Sequence, residues 1–130
     1  MLHVDLRGLL LDYAGVLDEP GVDAVARTLR LAGVRTAVVS NADRLPEPGL
    51  ADTVDAVVLS GVVGFAKPEA EIYRIAARRI GVRPEECVFV DDLRRNVEGA
   101  VAAGMVGINH ADLEATAVEL EALFGVDLGA

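Results

Sequence analysis

Hydrophobic positions along this chain fall into short unbroken runs that alternate with stretches of helical spacing. Leu9-Leu10-Leu11 ends abruptly in Asp12, with Gly15 close behind. An apolar run bounded by turn residues predicts a strand buried on both faces, here Leu6 to Asp12. The pattern returns at Arg35 to Ser40, Asp55 to Ser60, Cys87 to Val90 and Met105 to Ile108. Between the first two runs, Val22 to Ala32 carries Val22, Val25 and Leu29 at helical spacing and meets a capping glycine, Gly33. Leu50 to Val54 predicts a short helix, and Gly61 to Phe65 a loop.

Lys67-Pro68 precedes a stronger helix. Pro68 in its first turn, with Glu69 and Glu71, suits the positive end of the helix dipole. Ile72, Ile75, Ala76 and Ile80 form the predicted buried stripe, and Gly81 ends it. Asn96 to Ala103 predicts a helix of small residues that can approach a sheet closely, ending at Gly104. Leu113 to Phe124 is amphipathic, with Leu113, Ala117, Leu120 and Phe124 on one side. Strands alternating with helices predict an α/β fold: a three-layer, Rossmann-like parallel sheet of about five strands with helices on both faces. The 130 residues suit a single domain over 1–130.

Composition narrows the partners. The net charge of −9 repels phosphodiester backbones and anionic lipid heads, so neither nucleic acid nor a membrane is expected as a partner. Arg74, Arg78 and Arg79 are read as a solvated helix face. Cys87, the single cysteine, sits in the apolar run Cys87-Val88-Phe89-Val90, which predicts a buried, inert thiol. No apolar segment near the N-terminus reaches signal-peptide or membrane-span length, so a cytoplasmic location is expected. His3 and His110 have no evident partners and are read as surface or loop residues. Eleven of the twelve basic residues are arginine, and Lys67 is the one lysine.

The chemistry-bearing residues lie where open α/β sheets place their ligands, at strand C-termini. Asp12, Ser40, Lys67 and the pair Asp91-Asp92 all fall at such ends or just beyond. Three carboxylates brought together must either raise a pKa or bind a cation. Oxygen ligands alone select a hard divalent ion such as Mg²⁺.

These residues, in this order, resemble the haloacid dehalogenase (HAD) superfamily of aspartate-nucleophile hydrolases. The matching motifs are Asp12-Tyr13-Ala14-Gly15-Val16, Ser40-Asn41, Lys67-Pro68, and Val90-Asp91-Asp92 with Asn96. The stretch from Ser60 to Met105 is similar to the branch holding phosphoglycolate phosphatases and the epoxide hydrolase N-domain. The resemblance implies that Asp12 attacks a phosphoryl group and forms an aspartyl-phosphate. It implies that Ser40 and the backbone of Asn41 hold phosphate oxygens, and that Lys67 offsets charge on nucleophile and phosphoryl group. Asp12, Asp91, Asp92 and the backbone carbonyl of Ala14 would hold Mg²⁺, and Asn96 would orient the fourth-motif loop. A chain that otherwise uses arginine keeps a compact ammonium at this one place, and the two are not interchangeable.

Two departures bear on activity. The family's phosphatases place an acid/base aspartate two residues after the nucleophile, where this chain has Ala14. Loss of a general acid/base typically slows a reaction by about 10²–10⁴-fold. The branch also carries a cap domain between its first and second motifs, whereas Asp18 to Gly33 predicts only a turn and a helix. Without a cap the site is expected to be open. An open site suits a large substrate, or a partner protein or homo-oligomer that covers it, and the expected substrate is a small-molecule or protein-borne phosphate. The reading is a Mg²⁺-dependent, capless phosphohydrolase, slowed by Ala14. Its alternative is a catalytically inactive HAD-like module that binds a phosphorylated ligand or a protein.

Overall fold

A computed structural model describes residues 5–130. Its centre is a five-stranded, all-parallel sheet in the order β3-β2-β1-β4-β5. The strands are β1 (Gly8–Leu11), β2 (Arg35–Ser40), β3 (Ala56–Leu59), β4 (Cys87–Asp91) and β5 (Val106–Asn109). The helices are α1 (Val22–Leu31), α2 (Ser60–Val63), α3 (Ala70–Arg79), α4 (Arg94–Ala102) and α5 (Leu113–Phe124).

The leucine run divides the core. Successive strand side chains point to opposite faces. Leu9 and Leu11 therefore join one buried cluster with Val38, Val88, Val90, the α1 residues Val22, Ala26 and Leu29, and Leu120 of α5. Leu10 joins the other with Ala37, Val39, Phe89 and the α3 residues Ile72, Tyr73, Ala76 and Ala77. Both clusters are fully closed around β1, whose three leucines have at most 1% of their surface exposed. Leu11 pairs with Val38 on one side and Val90 on the other. The next residue, Asp12, still donates its N–H to Val90 O (3.0 Å), so the tip of β1 emerges beside that of β4.

Several boundaries differ from the sequence expectation. β1 begins at Gly8, although Arg7 already bonds to both neighbouring strands. The stretch expected as a loop over Gly61 to Phe65 opens instead with the single-turn helix α2, closed by Gly64 at φ +83°. The short helix expected at Leu50 to Val54 is a 3₁₀ turn over Pro48–Thr53. Pro68 is not inside α3. Lys67-Pro68, joined by a cis peptide, lies in a turn closed by the Glu69 N–H on Ala66 O (2.8 Å), with the Glu69 carboxylate accepting the Ala66 N–H. α4 starts at Arg94, ahead of Asn96. Glycines on both sides allow it a close approach: a Cβ on Gly99 of α4 would collide with Pro68, and one on Gly107 of β5 would collide with Val97 of α4. Cys87 is buried as expected, and burial, with Glu86 and Glu85 beside it, pushes its thiol up to about 12.

His3 lies outside the described residues. His110 departs from the surface reading. It is buried, with Nδ1 2.6 Å from Thr116 Oγ1 and Nε2 2.8 Å from Glu19 Oε1. Glu19 Oε2 also accepts the Leu113 N–H, so this triad ties the loop after β1 to the start of α5. Among the described residues, no helix is long and apolar enough to cross a membrane.

Asp55 pins β3 to β2. Its Oδ2 accepts from Thr36 N (2.7 Å) and Thr36 Oγ1 (3.2 Å), and its Oδ1 accepts from Arg30 Nε (3.1 Å). Burial raises this carboxyl, but the Thr36 amide and the Arg30 charge outweigh it and hold the group below its ordinary value. A depressed acid stabilises the fold above its unfolded pKa, and that contribution is lost as pH falls through the folded one. Asp55→Ala should therefore lower stability by about 1.5–3 kcal/mol at pH 7, the range of a hydrogen bond to a charged group. In urea unfolding the deficit should shrink at pH 3, whereas an equal deficit at both pH values would contradict the assignment.

Candidate active site

The tips of β1, β2 and β4 and the loop ahead of α3 enclose an open cleft of about 290 Å³. Asp12, Ala14, Gly15, Ser40, Asn41, Lys67, Asp92, Leu93 and Asn96 line it. The sequence-predicted residues therefore meet in one place, with Asp91 directly behind the wall.

The centre is Lys67. Its Nζ lies 2.9 Å from Asp12 Oδ1, 2.9 Å from Asp91 Oδ2 and 2.8 Å from Val39 O. An ammonium has three protons, and all three are used. The side chain is almost wholly buried, and Nζ stands 5.6 Å from the Phe89 ring centroid. The backbone of Lys67 is held as firmly. Asn41 Nδ2 donates to Lys67 O (3.0 Å) while Asn41 Oδ1 accepts the Lys67 N–H (2.8 Å). This two-bond clasp is a role for the Asn41 side chain that spacing could not reveal.

Gly15 explains how the first loop meets the fourth strand. Ala14 (φ −66°, ψ 125°) and Gly15 (φ 81°, ψ 0°) have the dihedrals of a type II turn, which needs glycine at its second corner. A Cβ at Gly15 would also overlap the Asp92 carboxylate. Asp18 Oδ1 accepts the Gly15 N–H (2.8 Å) and steadies the turn.

The neighbours Asp91 and Asp92 have different environments. Asp91 is fully buried; Oδ2 accepts from Lys67 and from Asn96 Nδ2 (3.2 Å), and Oδ1 from the Leu93 N–H (2.9 Å). Asp92 is exposed over Gly15. Asn109, not singled out from sequence, donates to the carbonyls of both Asp91 (3.4 Å) and Asp92 (3.1 Å) and anchors the tip of β4 to β5. Nothing in its local pattern marks it, because its partners lie on another strand.

One oxygen each from Asp12, Asp91 and Asp92 can be chosen so that all lie within 4.8 Å of one another. Three carboxylates against one ammonium leave an excess of two negative charges. Burial pushes Asp12 up to about 6 even though Lys67 pulls it down, and Asp91 adds to the rise. Burial also raises Asp92, with Asp91 reinforcing the shift. An all-oxygen acidic cluster suits a hard divalent cation. Asp91 is already engaged at both oxygens, so Asp12 and Asp92 are the more available ligands. The Ser40 hydroxyl lines the cleft and has no hydrogen-bond partner among the described residues. Asn96 Oδ1 is buried and also without a partner. Flipping that amide would aim its oxygen at the Asp91 carboxylate.

A family model described as haloacid dehalogenase-like hydrolase matches residues 2–104. The chain is 37% identical over 103 residues to a phosphatase of Mycobacterium tuberculosis, covering 73% of this chain and 48% of that protein. It is 35% identical over 103 residues to a glyceraldehyde 3-phosphate phosphatase of Methanopyrus kandleri, covering 74% and 44% respectively. The chain thus spans less than half the length of these curated relatives. Among solved structures, an uncharacterized protein of Corynebacterium glutamicum superposes with a TM-score of 0.86 at 36% identity, covering 94% of this chain and 97% of that one.

The raised pKa of Asp12 has a consequence for stability. Its folded value, about 6, lies above the unfolded value of about 3.9. Its contribution is fully present below the unfolded value and is lost as pH rises through the folded one. Asp12→Asn escapes that loss. Without divalent cation the variant should be the more stable at pH 7, by about 1–2 kcal/mol, with the gap closing toward pH 4. Urea unfolding in a chelator at both pH values measures it, and a wild type more stable at pH 7 would contradict the account.

Proposed function

The chain belongs to the haloacid dehalogenase-like hydrolases, and we propose that it acts on phosphate esters or anhydrides through an aspartyl-phosphate on Asp12, with Mg²⁺ bound at the acidic cluster. The observation that carries this reading is the Lys67 ammonium bonded to both Asp12 and Asp91 at the floor of a cleft. It holds the Asp12 carboxylate in place in a partly dehydrated setting, where a carboxylate is a better nucleophile than in bulk water.

Asp12 and Asp92, with the carbonyl of Ala14 and with Asp91 behind them, would hold the cation. Mg²⁺, when bound, supplies positive charge against the phosphoryl oxygens. The unpartnered Asn96 Oδ1 beside the cluster is a natural acceptor for a cation-bound water. Ser40 Oγ, at the cleft lining, and the backbone N–H of Asn41 would bind phosphate oxygens, with the Asn41 side chain already engaged by Lys67. Attack forms the Asp12–phosphorus bond and breaks the bond to the leaving oxygen. Water then cleaves the acyl phosphate. The substrate is a small-molecule or protein-borne phosphate, since no cap-sized insertion stands over the cleft among the described residues.

Ala14 favours a second reading, a module that binds a phosphorylated ligand or protein without turning it over. An aryl-phosphate assay with and without Mg²⁺ separates the two. Product release that needs Mg²⁺ and falls by roughly 10²-fold or more in Asp12→Asn supports covalent catalysis. Release indistinguishable between the two chains, together with a thermal shift on adding Mg²⁺ and phosphate, supports the binding module.

A further inference from the structure

We propose that Asp12 accepts phosphoryl groups from donors with weakly basic leaving groups and then retains them, so that the chain is a phosphoryl acceptor with a persistent aspartyl-phosphate. This inference rests on the reading of the site given above and concerns which step is slow and which substrates can react.

Two proton transfers flank an aspartyl-phosphate. As it forms, an Asp12 oxygen bonds to phosphorus and the departing oxygen leaves with its electron pair, needing a proton unless it is a stable anion. As it breaks down, water bonds to phosphorus and loses a proton, while the Asp12 oxygen takes back the bonding pair. Each transfer is sped by a titratable group facing Asp12 across the cleft.

Among the described residues, the cleft has no free carrier once a cation is held. Ala14 is exposed beside Asp12 and holds no proton. Lys67 has committed all three of its protons to Asp12, Asp91 and Val39 O. Asp92 belongs to the acidic cluster that could hold a cation, and as a ligand it would not be free to carry a proton. At the rim, the Asp18 carboxylate accepts the Gly15 N–H, and the Tyr13 hydroxyl donates to Glu47 Oε1 (2.8 Å).

With no acid, the leaving group must depart as an anion, which selects aryl and acyl phosphates over simple alkyl phosphates. The half-exposed Leu93 at the cleft wall, with Ala14, offers an apolar surface to such a group. With no base, attack of water on phospho-Asp12 is slowed by about 10²–10⁴-fold relative to a site that has one. Formation from an activated donor then outruns breakdown.

Rapid mixing of the full chain with Mg²⁺ and p-nitrophenyl phosphate should give a burst of nitrophenol approaching one per chain, followed by slow release. Intact mass should show one added phosphoryl group, mapped to Asp12 and absent from Asp12→Asn. Acetyl phosphate should give the same adduct and glycerol phosphate none. Ala14→Asp, at an exposed position with φ −66° that any residue adopts, should abolish the burst and raise steady release by roughly 10²-fold or more. Linear release with no burst and no adduct in the wild type would overturn the inference while leaving the hydrolase reading intact. So would turnover of glycerol phosphate as fast as the aryl ester. Failure of every donor to label the wild type, with release equal to that of Asp12→Asn, would overturn the aspartyl-phosphate reading and this inference with it.

Discussion

One buried ammonium holds this site together. Lys67 Nζ is bonded to Asp12, Asp91 and the Val39 carbonyl, so it joins the tips of the three central strands, β1, β4 and β2. Two buried carboxylates on adjacent strands would repel each other strongly in a medium of low polarity. The ammonium turns that repulsion into two short charge-assisted bonds. Its backbone is fixed in turn by the Asn41 clasp, and the Asp91 carboxylate is further held by Leu93 N–H and Asn96. Arginine, with a planar fork and a longer reach, could not place three protons on three converging acceptors in this way. This accounts for a single lysine in a chain otherwise rich in arginine.

The local charge still does not balance. Lys67 neutralises one of three carboxylates, and Asp12 stays up at about 6. A site in this state has its fold stability set against its chemistry: the same burial that opposes ionisation of Asp12 in the empty cleft makes a bound cation and an anionic phosphoryl group more strongly felt there. Ala14 then determines what such a site can do. Under the proposed chemistry it would leave Asp12, Lys67 and Ser40 at the tip of β2 in place, with no proton carrier at that position for either half of the reaction.

Much of this was legible from the chain alone, for a physical reason. Features that depend on local pattern could be read directly: Leu9 to Leu11 as the central strand, Leu113 to Phe124 as a helix, and glycines at helix ends. The convergence of Asp12, Ser40, Lys67 and Asp91-Asp92 followed from the rule that parallel strands present their ends at one edge of the sheet. What escaped depends on pairs distant in sequence. His110 is buried because Glu19, 91 residues away, meets it. The clasp of the Asn41 side chain on the Lys67 backbone has no local signal either, because its partner is 26 residues ahead. The differing exposure of Asp91 and Asp92 reflects strand alternation at the very tip of β4, where a run of two identical residues carries no signal as to which one faces inward.

The account rests on the ammonium and the two carboxylates acting as one unit, and a mutant cycle on Lys67 and Asp91 tests that most directly. Lys67→Met leaves two buried carboxylates uncompensated and should cost about 3–5 kcal/mol in urea unfolding at pH 7 without divalent cation. Adding Asp91→Asn to that variant should recover stability, giving a coupling energy of at least about 1 kcal/mol. Losses that simply add would mean that Lys67 and Asp91 do not depend on each other, and would contradict the account.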